Sequence, residues 1–208
     1  MFLIDIEIIH NNQNYQNSIY LIIKRIFDIF IAFILIIVLF PLFIIVITII
    51  KIEDYGCVFY VQKRVGKNNT IFNLYKFRSM TETKRNLSIQ IQNESSDITN
   101  IGKIIRRYKI DELPQLFNVL KGDMSIVGPR PCLPETIKEF GVNSRIRHFA
   151  KPGLTGISQI NGNTYLSWNE RLAFDLQYIY KMTYWLDFLI IINTLFIIIY
   201  GEKWGKKK

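Results

Sequence analysis

The chain has 208 residues, half of them hydrophobic, and carries 26 Lys and Arg against 17 Asp and Glu, a formal net charge of +9. A mean hydropathy of +0.17 and a pI near 9.5 argue against an ordinary acidic soluble domain. They fit a chain that meets lipid and an anionic partner, whether a membrane surface, a nucleotide or a nucleic acid. Two cysteines, Cys57 and Cys132, in no spaced pattern, with only His10 and His148 as histidines, argue against a zinc site or a disulfide framework; both thiols are expected to be free in a reducing compartment.

In chain order, residues 1–19 form a tail of no evident role. Its first nine residues are apolar but contain Asp5 and Glu7 and no lysine or arginine, unlike a secretory signal, and His10 to Ser18 is a polar, Asn/Gln-rich linker. Residues 20–52 form a membrane unit. Ile29 to Ile50 is free of charge and would measure about 33 Å as a helix, enough to cross a bilayer core of roughly 30 Å. Pro41 lies within it and is expected to break it into two arms. Basic residues flank both ends, Lys24 and Arg25 before, then Lys51, Lys63, Arg64 and Lys67 after, which favours both ends on the cytoplasmic side. Hydropathy alone leaves a span and a helix-break-helix that re-enters one leaflet equally open.

Residues 53–183 read as a soluble domain. Val58 to Phe77 is patterned as a β-hairpin with its turn at Gly66 to Asn69. Tyr55 to Thr81 holds Lys63, Arg64, Lys67, Lys76 and Arg78 and no acid, a basic face that suits solvent or anionic lipid. Glu82 to Asn100 reads as a loop. Thr99 can cap a helix with Ile101, Ile104, Ile105 and Tyr108 on its apolar face. A short amphipathic helix is then expected from Asp111 to Lys121, with Pro114 in its first turn and Leu113, Leu116, Phe117 and Leu120 buried. It places the acidic pair Asp111-Glu112 at one end and the loop Gly128-Pro129-Arg130-Pro131 beyond the other. A capped core helix, with the acids merely complementing its dipole, is the plain reading of the first feature. The loop adds a guanidinium between two prolines, suited to bidentate recognition of phosphate.

Pro134 to Phe149 reads as helical, Lys151 to Gly156 as a rigid turn, Ile157 to Ile160 as a strand and Trp168 to Met182 as a helix with Asp175 and Tyr178 on a shared edge. In residues 184–208 the apolar run Trp185 to Tyr200 contains Asp187 and Asn193 and is bracketed by Tyr184, Trp204 and lysines. This favours an interfacial amphipathic helix with a basic tail over a span, a buried core helix being the alternative. The fold class expected is thus α+β, a mainly helical small domain with a short β-hairpin.

Six ordered motifs carry a family likeness: Gln62-x-Arg64-x-Gly66, Lys76-Phe77-Arg78-Ser79-Met80, Asp111-Glu112-Leu113-Pro114-Gln115, Gly128-Pro129-Arg130-Pro131, Lys151-Pro152-Gly153-Leu154-Thr155-Gly156 and Asn161-Gly162. Together they resemble the bacterial sugar transferases of the small monotopic phosphoglycosyl transferase type, from about Tyr20 to Tyr200. The resemblance implies transfer of a phospho-sugar from a UDP-sugar to polyprenyl phosphate, normally undecaprenyl phosphate, with release of UMP, as the first step of bacterial glycan assembly. It implies a re-entrant membrane helix broken at Pro41, a catalytic domain on the cytoplasmic face of the inner membrane and contact with anionic inner-leaflet lipid. It also implies Asp111 as a nucleophile forming a covalent phospho-sugar aspartate and Glu112 as a ligand of Mg2+. Arg130 matches a phosphate-holding arginine, and Lys76, Arg106 and Asp175 match positions near the site, with Arg64 a candidate for substrate or lipid head-group contact. No nucleic-acid partner is expected, and a homodimer is compatible. Phe40 stands where many members have serine, and Ile157 and Asn163 where tryptophan and arginine are common, so the sugar is left open. The competing readings are a non-enzymatic anchored module binding anionic lipid or nucleic acid, and a metal-dependent phosphohydrolase.

Overall fold

The computed structural model describes residues 18–53, 55–81, 97–140 and 142–206. The N-terminal tail and most of the segment read as a loop lie outside the described residues. The membrane unit is one long helix, α1 (Ser18–Glu53), with Pro41 inside it rather than between two separate arms. A proline removes one backbone hydrogen bond and can bend a helix without ending it. By length and composition α1 could cross a bilayer.

One stripe of α1 is buried. Asp28, Ala32, Phe43, Val46 and Ile50 are covered by the domain, while Ile22, Phe27, Phe30, Phe33, Ile37, Val38, Ile44, Ile45 and Ile49 are exposed. The stripe steps by four, then by eleven (three full turns), then by three and four residues, so it is one helical face running past Pro41. Near its start, Arg25 donates to the carbonyls of Val119 and Leu120 at 2.5 and 2.8 Å, and Asp28 accepts from the Ile126 amide at 2.9 Å. Toward its end, Phe43 packs edge-on against Phe77 and Phe117, and Ile50 joins a cluster with Val58 and Ile105.

The hairpin forms as expected from its β-rich composition: β1 (Phe59–Val65) pairs antiparallel with β2 (Ile71–Phe77), from Phe59 opposite Phe77 to Val65 opposite Ile71. Thr99 caps α2 (Asn100–Arg107), its side chain accepting from the Gly102 amide. Only Gly102 and Ile105 of that helix are fully buried; Ile104 and Tyr108, expected on the apolar face, are exposed.

The acidic helix begins later than expected. Ile110–Glu112 is a separate 3-10 turn, and α3 (Gln115–Lys121) follows Pro114 and ends at Gly122, whose φ of 99° is left-handed. Its buried face is Gln115, Leu116, Asn118 and Val119, and Phe117 turns out toward α1. The polar pattern misled here because Asn118 is fully satisfied inside: it accepts from the Tyr75 amide and donates to the Asn73 carbonyl and to Asp123. Asn118→Ala leaves the Tyr75 N–H and Asn73 carbonyl unpaired and should destabilise by about 2–4 kcal/mol, read from denaturant midpoints.

Beyond α3, β3 (Ser125–Val127) pairs in parallel with β4 (Gly153–Thr155). The turn expected over Lys151 to Gly156 therefore contains a strand, and the strand expected over Ile157 to Ile160 is a short helix, α4. Pro134–Phe140 and Val142–Phe149 are 3-10 segments between the two strands. Helix α5 (Trp168–Lys181) opens on a Ser167/Glu170 capping box, and α6 (Tyr184–Tyr200) lies next to it. Asp187 of α6 accepts from Lys24 at 2.6 Å and from Tyr178 at 2.8 Å, which ties α6 to both α1 and α5. A last turn, α7 (Lys203–Lys206), ends the described residues. The main core lies under α1, between α3, β3 and α5, with Leu116, Val119, Met124, Val127 and Tyr178 at its centre.

Candidate active site

Two backbone motifs meet to form the floor of the site. The Gly128 amide donates to the Thr155 carbonyl and the Gly153 amide to the Pro129 carbonyl, both at 2.9 Å. A Cβ on Gly153 would lie 2.1 Å from the Gly128 nitrogen, and one on Gly156 2.1 Å from the Gly128 oxygen. Both positions need glycine because backbone lies directly on backbone. The Gly-Pro-Arg-Pro loop leaves β3 at this contact, and its register is thereby set by β4.

The loop is also held from behind. Arg147 donates to the Arg130 carbonyl at 2.8 Å and pairs with Asp175 at 2.7 Å, while Ser158 donates to Asp175 at 3.1 Å. Asp175, a candidate for direct contact, therefore acts through Arg147 on the backbone of Arg130. Burial raises its carboxyl to about 6 despite the Arg147 charge. Arg147 itself was not singled out by any sequence pattern, although its place a few residues before Lys151 was a usable signal.

On the other side, the turn at Ile110–Glu112 places Asp111 and Glu112, both buried, opposite the hairpin. Glu112 Oε1 accepts from Lys76 Nζ at 2.6 Å, reaching from β2, and from Arg130 Nη2 at 2.9 Å, reaching from the loop. Among the described residues no side chain donates to the Asp111 carboxylate. The electrostatics separate the two acids. Burial raises the Asp111 carboxyl above its ordinary value, only partly offset by Lys76. Burial acts on Glu112 as well, but Arg130 and Lys76 outweigh it and hold Glu112 well below the carboxylate range. Glu112 is therefore a fixed anion and Asp111 the less encumbered one, a pattern by which two acids take different roles.

The other candidates fall around this centre. Arg64 donates to the Pro131 carbonyl at 3.1 Å and to Gln62 at 2.7 Å, and burial with the neighbouring Arg130 lowers it to about 10, still charged at neutral pH. Arg106 points its guanidinium at the Met80 sulfur, 3.4 Å away, within electrostatic reach of Asp111. Pro41 is remote in the sequence and exposed on α1. Among the described residues no group of three or more His, Cys, Asp or Glu could hold a metal ion. Neither cysteine is disulfide-bonded.

His148 adjoins the same loop, its Nδ1 2.6 Å from the Asn69 Oδ1 and its Nε2 3.6 Å from the Cys132 sulfur. Burial, then the Arg147 charge, lowers its pKa to about 4. A neutral ring here avoids a further cation beside Arg64, Arg130 and Arg147. Its stabilising contribution is present in full above about 6.5 and is lost as pH falls through about 4. His148→Gln should flatten the acid side of the stability–pH curve by on the order of 2 kcal/mol; equal slopes for wild type and variant would show a freely protonating ring.

A short β-hairpin, an acidic pair on a 3-10 turn and a guanidinium loop are assembled beside a long apolar helix. The chain belongs to the bacterial sugar transferase family, whose sequence model matches residues 19–201. It is 36% identical over 182 residues to the uncharacterized sugar transferase EpsL of Bacillus subtilis, covering 88% of this chain and 90% of that protein. It is 38% identical over 208 residues to the UDP-N-acetylgalactosamine-undecaprenyl-phosphate N-acetylgalactosaminephosphotransferase of Aeromonas hydrophila, covering 95% of this chain and 49% of that protein. With the undecaprenyl-phosphate glucose phosphotransferase of Komagataeibacter xylinus it shares 42% identity over 185 residues, 83% of this chain and 35% of the relative. The chain thus spans most of the first relative and half or less of the other two.

Proposed function

We propose that this protein transfers a sugar 1-phosphate from a UDP-sugar to a polyprenyl phosphate such as undecaprenyl phosphate, releasing UMP, in the initiating step of a bacterial glycan. The observation that carries this reading is the buried pair in which Glu112 is clamped by Lys76 and Arg130 while Asp111 receives no side-chain donor among the described residues. Such a pair supplies a carboxylate free to attack and a cationic pocket for a pyrophosphate. The names of the Aeromonas and Komagataeibacter relatives, both undecaprenyl-phosphate sugar phosphotransferases, support the same reaction.

In the first half-reaction an Asp111 oxygen bonds to the sugar-bearing phosphorus, the phosphorus–oxygen bond to the UMP portion breaks, and UMP leaves with the bridging oxygen. In the second, a polyprenyl phosphate oxygen attacks the same phosphorus and the Asp111 carboxylate is released. Lys76 and Arg130 hold Glu112 in the free protein and stand ready to share their charge with the donor phosphates. Arg147 and Asp175 keep Arg130 in place from beneath. The buried, ionised Glu112 carboxylate fits magnesium, which commonly takes one or two protein carboxylates together with substrate phosphates. Glu112 would hold it, and when bound it would neutralise pyrophosphate charge.

For the membrane element we propose a re-entrant helix bent at Pro41, with the domain on the cytoplasmic face of the inner membrane against anionic lipid. Contacts of the same domain with Arg25 and Asp28 near one end of α1 and with Ile50 near the other support this, since a helix held at both ends is poorly placed to cross. Cysteines placed at Gln13 and Asn68 should then label from the same side; labelling from opposite sides would indicate a span.

UMP release from a panel of UDP-sugars, with and without undecaprenyl phosphate, tests the reaction. Lipid-dependent release supports the transferase. Release indifferent to lipid would favour a phosphohydrolase, and none with any donor would leave an anchored binding module.

A further inference from the structure

Side chains from two separate loops converge on one carboxylate near the end of the chain. Lys109 Nζ and Asn163 Nδ2 donate to Glu202 Oε1, the latter at 2.7 Å, and Thr164 Oγ1 donates to Oε2 at 2.8 Å. Glu202 follows Gly201, whose φ of 89° turns the chain out of α6. Trp204 and Gly205 after it are anchored. A Cβ on Gly205 would lie 2.2 Å from the Ile160 carbonyl oxygen, and Trp204 stacks on Phe196 with centroids 5.5 Å apart. What the sequence presents as a basic tail is, through Gly205, docked against α4.

The two residues sharing Glu202 Oε1 have a backbone property in common. Among the described non-glycine residues, positive φ occurs at Asn68, Asn69, Lys109 (59°) and Asn163 (46°). Asparagine tolerates this region because its short amide can bond locally; lysine does not, and pays roughly 1–2 kcal/mol there unless its surroundings hold it. Lys109 begins the acidic turn, its carbonyl accepting from the Glu112 amide at 3.1 Å. Strain at one residue is thus stored two positions before the proposed nucleophile.

We propose that Glu202 is a positioning residue: by binding Lys109 and Asn163 at once it keeps Lys109 left-handed, and so fixes where the Asp111–Glu112 turn stands relative to Lys76 and Arg130. The inference rests on the transferase reading for its kinetic half. Lys109→Gly offers a control, because glycine takes this backbone conformation freely and has no need of the clamp.

The test uses the full chain in lipid nanodiscs: wild type, Glu202→Gln, Lys109→Gly and the double variant. Steady-state UMP release and amide hydrogen exchange at Glu112 and Leu113 are measured for each. Glu202→Gln should lower kcat about tenfold or more while the donor KM changes less than about threefold. Exchange at Glu112 and Leu113 should quicken about tenfold with the β1–β2 amides unchanged. In the Lys109→Gly background the same substitution should add less than about a twofold effect. Wild-type kcat and exchange in Glu202→Gln, or full additivity in the cycle, would overturn the proposal. A uniform rise in exchange with a lowered Tm would also overturn it, showing only a general stabilising contact. If wild type releases no UMP from any donor, the transferase reading fails, whereas the exchange comparison still decides the clamp.

Discussion

Asp111→Asn should reduce UMP release by at least about 10^3-fold while leaving the fold intact, because the substitution removes the attacking oxygen and no structural bond. The same protein should melt at the wild-type temperature or above it. Burial raises the Asp111 carboxyl above its ordinary value, so at neutral pH its ionised form is penalised in the folded state, and a neutral amide relieves that penalty. For wild type the sign of the pH effect follows from the same shift: the nucleophile is lost by protonation as pH falls, and the acid limb of kcat/KM should lie above the ordinary carboxylate value of 3.8. Mass spectrometry after mixing with UDP-sugar alone should detect a phospho-sugar adduct on wild type and none on the variant. Full activity in Asp111→Asn would remove the covalent mechanism.

Glu112→Gln should be damaging in a different way, lowering activity and stability together. Its side chain is 9% exposed and stands between Lys76 and Arg130. An amide keeps the shape but leaves two cations facing each other without the carboxylate that both bond, Asp111 being the remaining nearby anion. Removing one partner of a buried ion pair costs roughly 3–5 kcal/mol, and the partial exposure of Arg130 favours the lower figure; Tm should fall by about 10 °C. Combining it with Lys76→Met should restore part of the lost Tm, since one uncompensated charge is then gone, without restoring turnover. A Tm unchanged in Glu112→Gln would mean that the two cations find solvent in its place.

Legibility in the sequence followed the range of the interactions. The hairpin, the Thr99 cap and α5 were readable because alternation, capping residues and periodicity act over a few neighbours. The acidic pair and the Gly-Pro-Arg-Pro loop were recognisable as motifs, but their meeting at Glu112 depends on β2 and the β3–β4 register, which no local pattern encodes. Three errors have physical causes. Phe117 was expected inside, whereas the buried face takes Asn118, whose partners, Tyr75, Asn73 and Asp123, are mostly distant in sequence. Ile157 to Ile160 looked like a strand because four residues are too few to show a helical period. Lys151 to Gly156 was read as a turn from its proline and glycines, which in fact permit β4 to lie directly on the loop. Arg147 and Glu202 escaped notice because each acts through a partner that only the tertiary fold supplies.

The single buried stripe on α1 has a practical consequence for anyone seeking a water-soluble catalytic fragment. Cutting the chain after Glu53 would discard Asp28, Ala32, Phe43, Val46 and Ile50 along with the carbonyl contacts of Arg25, and would open both hydrophobic clusters that support the acidic turn. Repainting is the better route. Replacing outward residues such as Ile22, Phe27, Phe30, Ile37, Ile44 and Ile45 with Lys, Glu or Gln would trade lipid solubility for water solubility and leave the inner face of the helix in place as a structural part of the enzyme.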